Sequence, residues 1–278
     1  MWWTAAKEAA ANWSGHKDAR QGAALAYYSV FSLGPIIVIA ITIAGLFFNP
    51  EAVSAQVTGS VKEMMGDSGA KAVEAMLAGA SRPAEGALAA ILGGVTLLFA
   101  AIGVVVQLKD ALNVVWEVEE PKGSGLWYFA RNYILSFAAV LALGFLLLVS
   151  LIVTAALAGA GKFAAPYLPE GVLHIATMLV SFAVVTLLFA MMFKWLPDVS
   201  VNWSDVWLGA VLTSLLFEMG KAAIGFYIGK QGLESTYGAA ASIVVLLIWV
   251  YYTSQIVLMG AEVTHAYARQ TGSLKQRQ

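Results

Sequence analysis

The chain contains no cysteine. Disulfides, thiolate nucleophiles and cysteine-bound zinc are therefore excluded. Charge is scarce as well. Only 12% of the 278 residues are Asp, Glu, Lys or Arg, against about 25% in soluble domains. Apolar residues fill the gap: they make up 60% of the chain, and mean hydropathy is +0.76. A chain this apolar buries surface in lipid and not only in a core. A net charge of −1 leaves no basic footprint, so nucleic acid is not an expected partner. Histidine is sparse too. His16, His174 and His265 are far apart, with no His-x-His or His-Glu-x-x-His spacing. No metal site and no cofactor are expected from that pattern. A cleavable signal is also not expected. The first 26 residues carry Lys7, Glu8, Lys17, Asp18 and Arg20 and lack a continuous apolar core. The first long apolar segment then acts as an uncleaved anchor.

What the chain does have is long apolar runs. Six of them, at about 28–48, 87–107, 133–158, 172–193, 206–228 and 239–260, are near the roughly 20 residues a bilayer requires. The expected fold is all-α: a polytopic membrane protein, one bundle of six transmembrane helices with short amphipathic interfacial helices. A single membrane domain covers 1–278, with an interfacial arm at 1–26, a helical loop at 49–86 and a tail at 261–278. Orientation follows from loop Lys and Arg. Lys7, Lys17, Arg20, Lys109, Lys122, Arg131, Lys194, Arg269, Lys275 and Arg277 fall on one side. Lys62, Lys71, Arg82, Lys162 and Lys230 fall on the other. Both termini should be cytoplasmic and the 49–86 loop external.

That loop has its own periodicity. Val53, Val57, Val61 and Met64 form one helical stripe, and Val73, Met76, Leu77 and Ala80 form a second. Gly66-Asp-Ser-Gly69 separates them. A lid that packs on the bundle is favoured over a surface that touches lipid or a partner. In the arm, Trp2, Ala6, Ala9 and Trp13 share a face, as expected of an interfacial helix that anchors rather than recognises.

The most informative residues lie in the fifth run. Glu218 and Lys221 sit near its centre, three residues apart. That spacing puts them on one helix face. Charge at bilayer depth is costly and normally has a partner and a role. Three readings stand: a structural ion pair, a proton- or ion-coupling element, or a site for a charged headgroup or solute. Register fixing alone is a poor explanation, because buried pairs often cost more than they contribute. In the sixth run, Tyr252, Gln255, Met259 and Glu262 form one stripe, and polar groups in lipid must find partners inside the protein. Its start, Tyr237 to Ser242, is nearly all small, which suits close helix packing. In the first run, Tyr28, Ser32 and Pro35 share a face. Pro35 removes a backbone donor, so a kink is expected there. The candidate pathway residues are thus Glu218, Lys221, Tyr252, Gln255, Glu262, Tyr28, Ser32, Pro35, Tyr237 and Ser242. No catalytic residue is assigned. A phosphodiesterase would need clustered metal-binding side chains. The one acidic run, Glu117, Glu119 and Glu120, reads as a solvated helix end.

These segments also carry a family resemblance. Ala24-Leu-Ala-Tyr-Tyr-Ser-Val-Phe-Ser-Leu-Gly-Pro35 resembles the opening motif of the BrkB/YihY family of bacterial inner-membrane proteins. Leu108-Lys-Asp-Ala-Leu-Asn113-Val-Val-Trp116 is similar to its second block, with Val114-Val115 where the family often has a basic residue. Trp195-Leu-Pro-Asp198, Trp203, Gly209-Ala210, Phe217-Glu218, Lys221 and Tyr227 resemble the third. Ser235 to Ala240, Trp249 to Tyr252, Gln255, Gly260-Ala-Glu262 and Thr264 resemble the fourth. The resemblance implies a bacterial inner-membrane protein with a site near these residues. The family has borne the labels of tRNA-processing ribonuclease and serum-resistance factor, and it suggests envelope lipid handling.

The leading expectation is transport or translocation of a lipid, amphiphile or small solute through a polar cavity between runs one, five and six. The alternative is a non-transporting scaffold that organises envelope proteins. A membrane-associated ribonuclease has no support in the residues. Expected partners are membrane lipids, with envelope proteins or a second copy of the chain as further candidates.

Overall fold

The computed structural model describes residues 2–45, 49–80, 87–118, 170–231 and 241–270. The expected third run, 133–158, lies outside the described residues, as does Tyr237. Among the described residues every regular element is a helix: α1 (Trp2–Gly15), α2 (Asp18–Ala44), α3 (Pro50–Ala80), α4 (Ala87–Val115), α5 (Glu170–Trp195), α6 (Trp203–Gln231) and α7 (Ala241–Gln270). Four stretches are long and apolar enough to cross a membrane: Asp18–Ile41, Ile175–Trp195, Trp203–Ile224 and Ala241–Gln270. The second expected run, 87–107, lies within α4. The four match the first, fourth, fifth and sixth of the expected runs.

The composition of these helices explains why they hold in lipid. Some hydroxyl side chains are turned back onto their own helix. Thr213 donates to the Gly209 carbonyl at 2.7 Å, Thr264 to Gly260 at 2.8 Å and Ser254 to Val250 at 2.8 Å. Such bonds leave no hydroxyl proton facing hydrocarbon. Large apolar side chains point outward instead. Ile175, Met178 and Leu179 on α5 and Val211, Leu215 and Met219 on α6 are all exposed. An outward apolar stripe of this kind would be a liability in water and is at home in a bilayer.

Helix α7 is the hub, packed by α6, α2, α1, α3 and α4. One core joins its Leu258 and Ala261 to Leu112 and Val115 of α4, Phe193 of α5 and Ala210 of α6. A second joins Val245, Leu246 and Trp249 to Ile224 of α6 and to Val61 and Val73 of α3. Helix α3 therefore packs Val61 of its first stripe and Val73, Met76 and Leu77 of its second into the bundle. It breaks at Gly66, whose φ of 72° is open to glycine at little cost. The exposed Lys62 and Asp67 pair across the break at 2.7 Å. That bond holds the Asp67 carboxyl below the usual carboxylate range. Helix α2 runs through Pro35 without a break from Asp18 to Ala44.

The α6–α7 crossing is set by small residues. A Cβ on Gly209 would collide with Thr264 and the Gly260 carbonyl, and one on Gly260 would collide with Thr213. Backbones this close need the missing side chains.

Candidate functional site

Two polar clusters flank that crossing, one toward each end of α7. The first contains the pair singled out in the sequence. Glu218 Oε2 and Lys221 Nζ are 2.7 Å apart, and each side chain is 30% exposed. The α6 helix brings them together through i,i+3 geometry. Lys221 Nζ also lies 5.7 Å from the centre of the Phe217 ring, within reach of its negative face. On another face of α6, Gly220 leaves room for Tyr252 of α7, whose ring occupies the place a Cβ would take. The Tyr252 hydroxyl donates to the Leu216 carbonyl at 2.9 Å. Tyr252 thus meets α6 through Gly220 and Leu216, on a different face from the ion pair, which is closed by its own two members.

The remaining stripe residues go elsewhere. The half-buried Gln255 faces α2, where a Cβ on Gly22 would collide with its amide. Both Gln255 amide atoms are buried without a hydrogen-bond partner. Glu262 lies roughly 15 Å along the helix from Tyr252, at 1.5 Å per residue, and bonds to neither Glu218 nor Lys221. On α2, Ser32 is buried, while Tyr28 is exposed and packs beside Gly103 of α4. Ser242 is half-buried in the first turn of α7. The geometry brings Glu218 and Lys221 together and places Tyr252 against the α6 backbone at Gly220 and Leu216, with Gln255 and Glu262 against other helices.

The second cluster escaped the sequence reading. Glu262 is fully buried and its Oε1 lies 2.6 Å from His16 Nδ1. His16 occupies the α1–α2 turn, where Lys17 takes a φ of 59°. Asp18, the first residue of α2, is fully buried beside them. Donor atoms of His16, Asp18 and Glu262 all lie within 4.8 Å of one another. Both Asp18 oxygens are buried without hydrogen-bond partners, and the buried Asn12 amide lies beside the Glu262 carboxylate. Glu117 closes the rim. It sits at the α4 end with φ 52°. There Val118 N–H bonds the Asn113 carbonyl at 2.9 Å and Glu117 N–H bonds Val114 at 3.0 Å, a Schellman-type stop that normally favours glycine. Its carboxylate reaches His16 Nε2 at 3.8 Å and Arg269 Nη1 at 3.6 Å. His265, one turn from Glu262, is buried against Trp116 with ring centres 5.1 Å apart. Nothing in linear spacing joins residue 16 to residue 262. Two local signals were present: His16-x-Asp18 at a helix start, and Glu262-x-x-His265, a spacing that metal-binding bundles use.

A third set of contacts ties α4 to the α5–α6 loop. Lys109 Nζ reaches Asp198 Oδ2 at 2.9 Å. Asn113 clasps Asp198 twice: its Nδ2 donates to Oδ2 at 3.0 Å and its Oδ1 accepts from the Asp198 N–H at 2.8 Å. Lys194 donates to the Val201 carbonyl nearby. Away from all three sets, an open cleft of about 690 Å³ lies between α2 and α3, lined by Ile41, Glu51, Ser54, Thr58, Glu74 and Leu77 among others.

Comparison with known proteins agrees with this architecture. A UPF0761 membrane protein of Albidiferax ferrireducens is 32% identical over 183 residues, 65% of this chain and 42% of that protein. One from Stenotrophomonas maltophilia is 28% identical over 247 residues, 88% of this chain and 56% of its own length. One from Vibrio cholerae is 30% identical over 175 residues, 63% of this chain and 57% of that protein. The chain therefore spans roughly two fifths to three fifths of these relatives. Their names state a membrane protein and no enzymatic activity. No solved structure matches the chain. The family model described as Virulence factor BrkB matches residues 9–278, nearly the whole chain, and the protein is an integral membrane member of that family.

Proposed function

We propose that the chain translocates a lipid, another amphiphile or a small solute along a polar path between α2, α6 and α7. The observation that carries this reading is the Glu218–Lys221 pair. It sits within the apolar span Trp203–Ile224, and both side chains remain 30% exposed. A purely structural pair would be sealed inside the bundle, since exposure to hydrocarbon is costly. A pair kept partly open can greet a zwitterionic or anionic headgroup with its ammonium and release it with its carboxylate. Phe217 lies beside Lys221 and offers an aromatic wall. The α2–α3 cleft has a mixed lining of Ile41 and Leu77 with Glu51, Ser54, Thr58 and Glu74, which suits entry of an amphiphile from one end. On this reading the protein works in the bacterial inner membrane, with both termini cytoplasmic and α3 external. It needs no catalytic residues and no nucleic acid.

The test is reconstitution. Purified protein in vesicles should speed exchange of a fluorescent phospholipid between leaflets above the protein-free rate. Glu218→Gln and Lys221→Met should return that rate to background while the proteins stay folded. Wild-type vesicles that show neither phospholipid nor solute flux would favour an envelope scaffold instead.

A further inference from the structure

We propose that His16, Asp18 and Glu262 form a binding site for a first-row divalent cation of the Mn2+ or Zn2+ class. This departs from the expectation of no metal site drawn from histidine spacing, because the ligands come from opposite ends of the chain. Three facts converge. The three donor atoms already lie within 4.8 Å of one another, so one ion can reach all of them with little movement. Two of the three residues, Asp18 and Glu262, are fully buried. Both Asp18 oxygens are orphaned there, whereas folded proteins pair the large majority of such atoms.

Plainer roles for Asp18 do not account for this. An acid in the first helical turn is commonly a cap or dipole partner. The Asp18 oxygens, however, accept no hydrogen bond from any backbone N–H. Arg269 is engaged by Glu117 at 3.6 Å. A divalent ion satisfies the orphaned oxygens and takes the place of the proton between His16 and Glu262. One imidazole and two carboxylates suit Mn2+ and Zn2+; all-oxygen sites suit Mg2+ and Ca2+. Glu117, whose carboxylate is 3.8 Å from His16 Nε2, stands where an outer partner would orient the imidazole. A bound ion would fasten the α1–α2 turn and the start of α2 to the last turns of α7. The site is independent of the Glu218–Lys221 pair and of the translocation reading.

The experiment uses the full chain, purified in detergent and stripped with EDTA. Mn2+ titrated by electron paramagnetic resonance should reveal one bound ion per chain that Zn2+ displaces and Mg2+ does not. Electron spin-echo spectra of the bound Mn2+ should show a single coordinated histidine nitrogen. Saturating Mn2+ should raise the unfolding midpoint by about 5 °C. Asp18→Asn keeps the shape and should weaken binding by about tenfold or more, with the midpoint shift lost. Lys62→Ala, remote and exposed, should bind as the wild type does. Wild-type protein without a bound Mn2+, a bound ion lacking histidine nitrogen, or equal binding by a folded Asp18→Asn chain would overturn the site. The spin-echo readout stands on wild type alone, so it decides even if the variant does not fold.

Discussion

The two charged clusters along α6 and α7 are built on opposite principles. Glu218 and Lys221 belong to one helix turn, satisfy each other at 2.7 Å, and stay partly exposed. His16 and Glu262 come from opposite ends of the chain, meet at 2.6 Å, and leave neighbouring carboxylate oxygens without partners. The first pair is local, complete and open. The second cluster is long-range, incomplete and closed. A complete open pair costs the fold little when removed and is available to something that passes by. A closed cluster holds three elements in place, so its loss is felt first as stability. Between them, the glycine crossing of α6 and α7 fixes how far apart the two clusters sit.

That contrast can be strained from its strongest point to its weakest. Gly260→Leu forces a side chain into Thr213 and Phe193. Overpacking of this kind should cost about 3 kcal/mol and disrupt both clusters at once. Detergent-solubilised yield and the thermal midpoint would report it. His16→Ala removes the hydrogen-bond partner of a fully buried carboxylate and should cost about 2 kcal/mol, read by thermal unfolding. Full stability in that variant would show that the closed cluster does not hold the arm. Lys109→Met breaks the tie to Asp198. Asp198 is 47% exposed and turns to solvent, so the loss should be about 1 kcal/mol. Glu218→Gln should change stability by less than about 1 kcal/mol, because its side chain is 30% exposed. Its effect should appear in vesicle flux and complementation. A loss of several kcal/mol there would make the open pair structural after all and erase the contrast.

How much of this was legible in the sequence follows the same division. Helix-spaced features are written in the linear order: the Glu218–Lys221 pair, the break at Gly66 and the apolar stripes of α3 all arise within one or two turns. Glu262 shares a sequence stripe with Tyr252 and Gln255, yet among the described residues α7 packs against five helices. Successive residues of one stripe thus meet different partners: α6, then α2, then the α1–α2 turn. Helical period predicts which way a side chain points but not which helix stands there. The cluster of His16, Asp18 and Glu262 depends on the positive φ at Lys17 that swings His16 back over α7, a turn that no apolar pattern announces. The tie of Asn113 to Asp198 is of the same kind, 85 residues apart along the chain.

The central claim is that Glu218 faces a water-accessible path. The absence of cysteine makes this directly measurable. Single substitutions Glu218→Cys, Leu215→Cys and Thr4→Cys can each be exposed, in sealed vesicles, to a charged methanethiosulfonate reagent that does not cross lipid. Thr4 is exposed on the arm and Leu215 is exposed on the apolar stripe of α6. The account predicts that the thiol at position 218 reacts at a rate within about tenfold of that at position 4, while that at 215 stays inert, since only a thiolate in water is a competent nucleophile. A thiol at 218 as inert as that at 215 would contradict it.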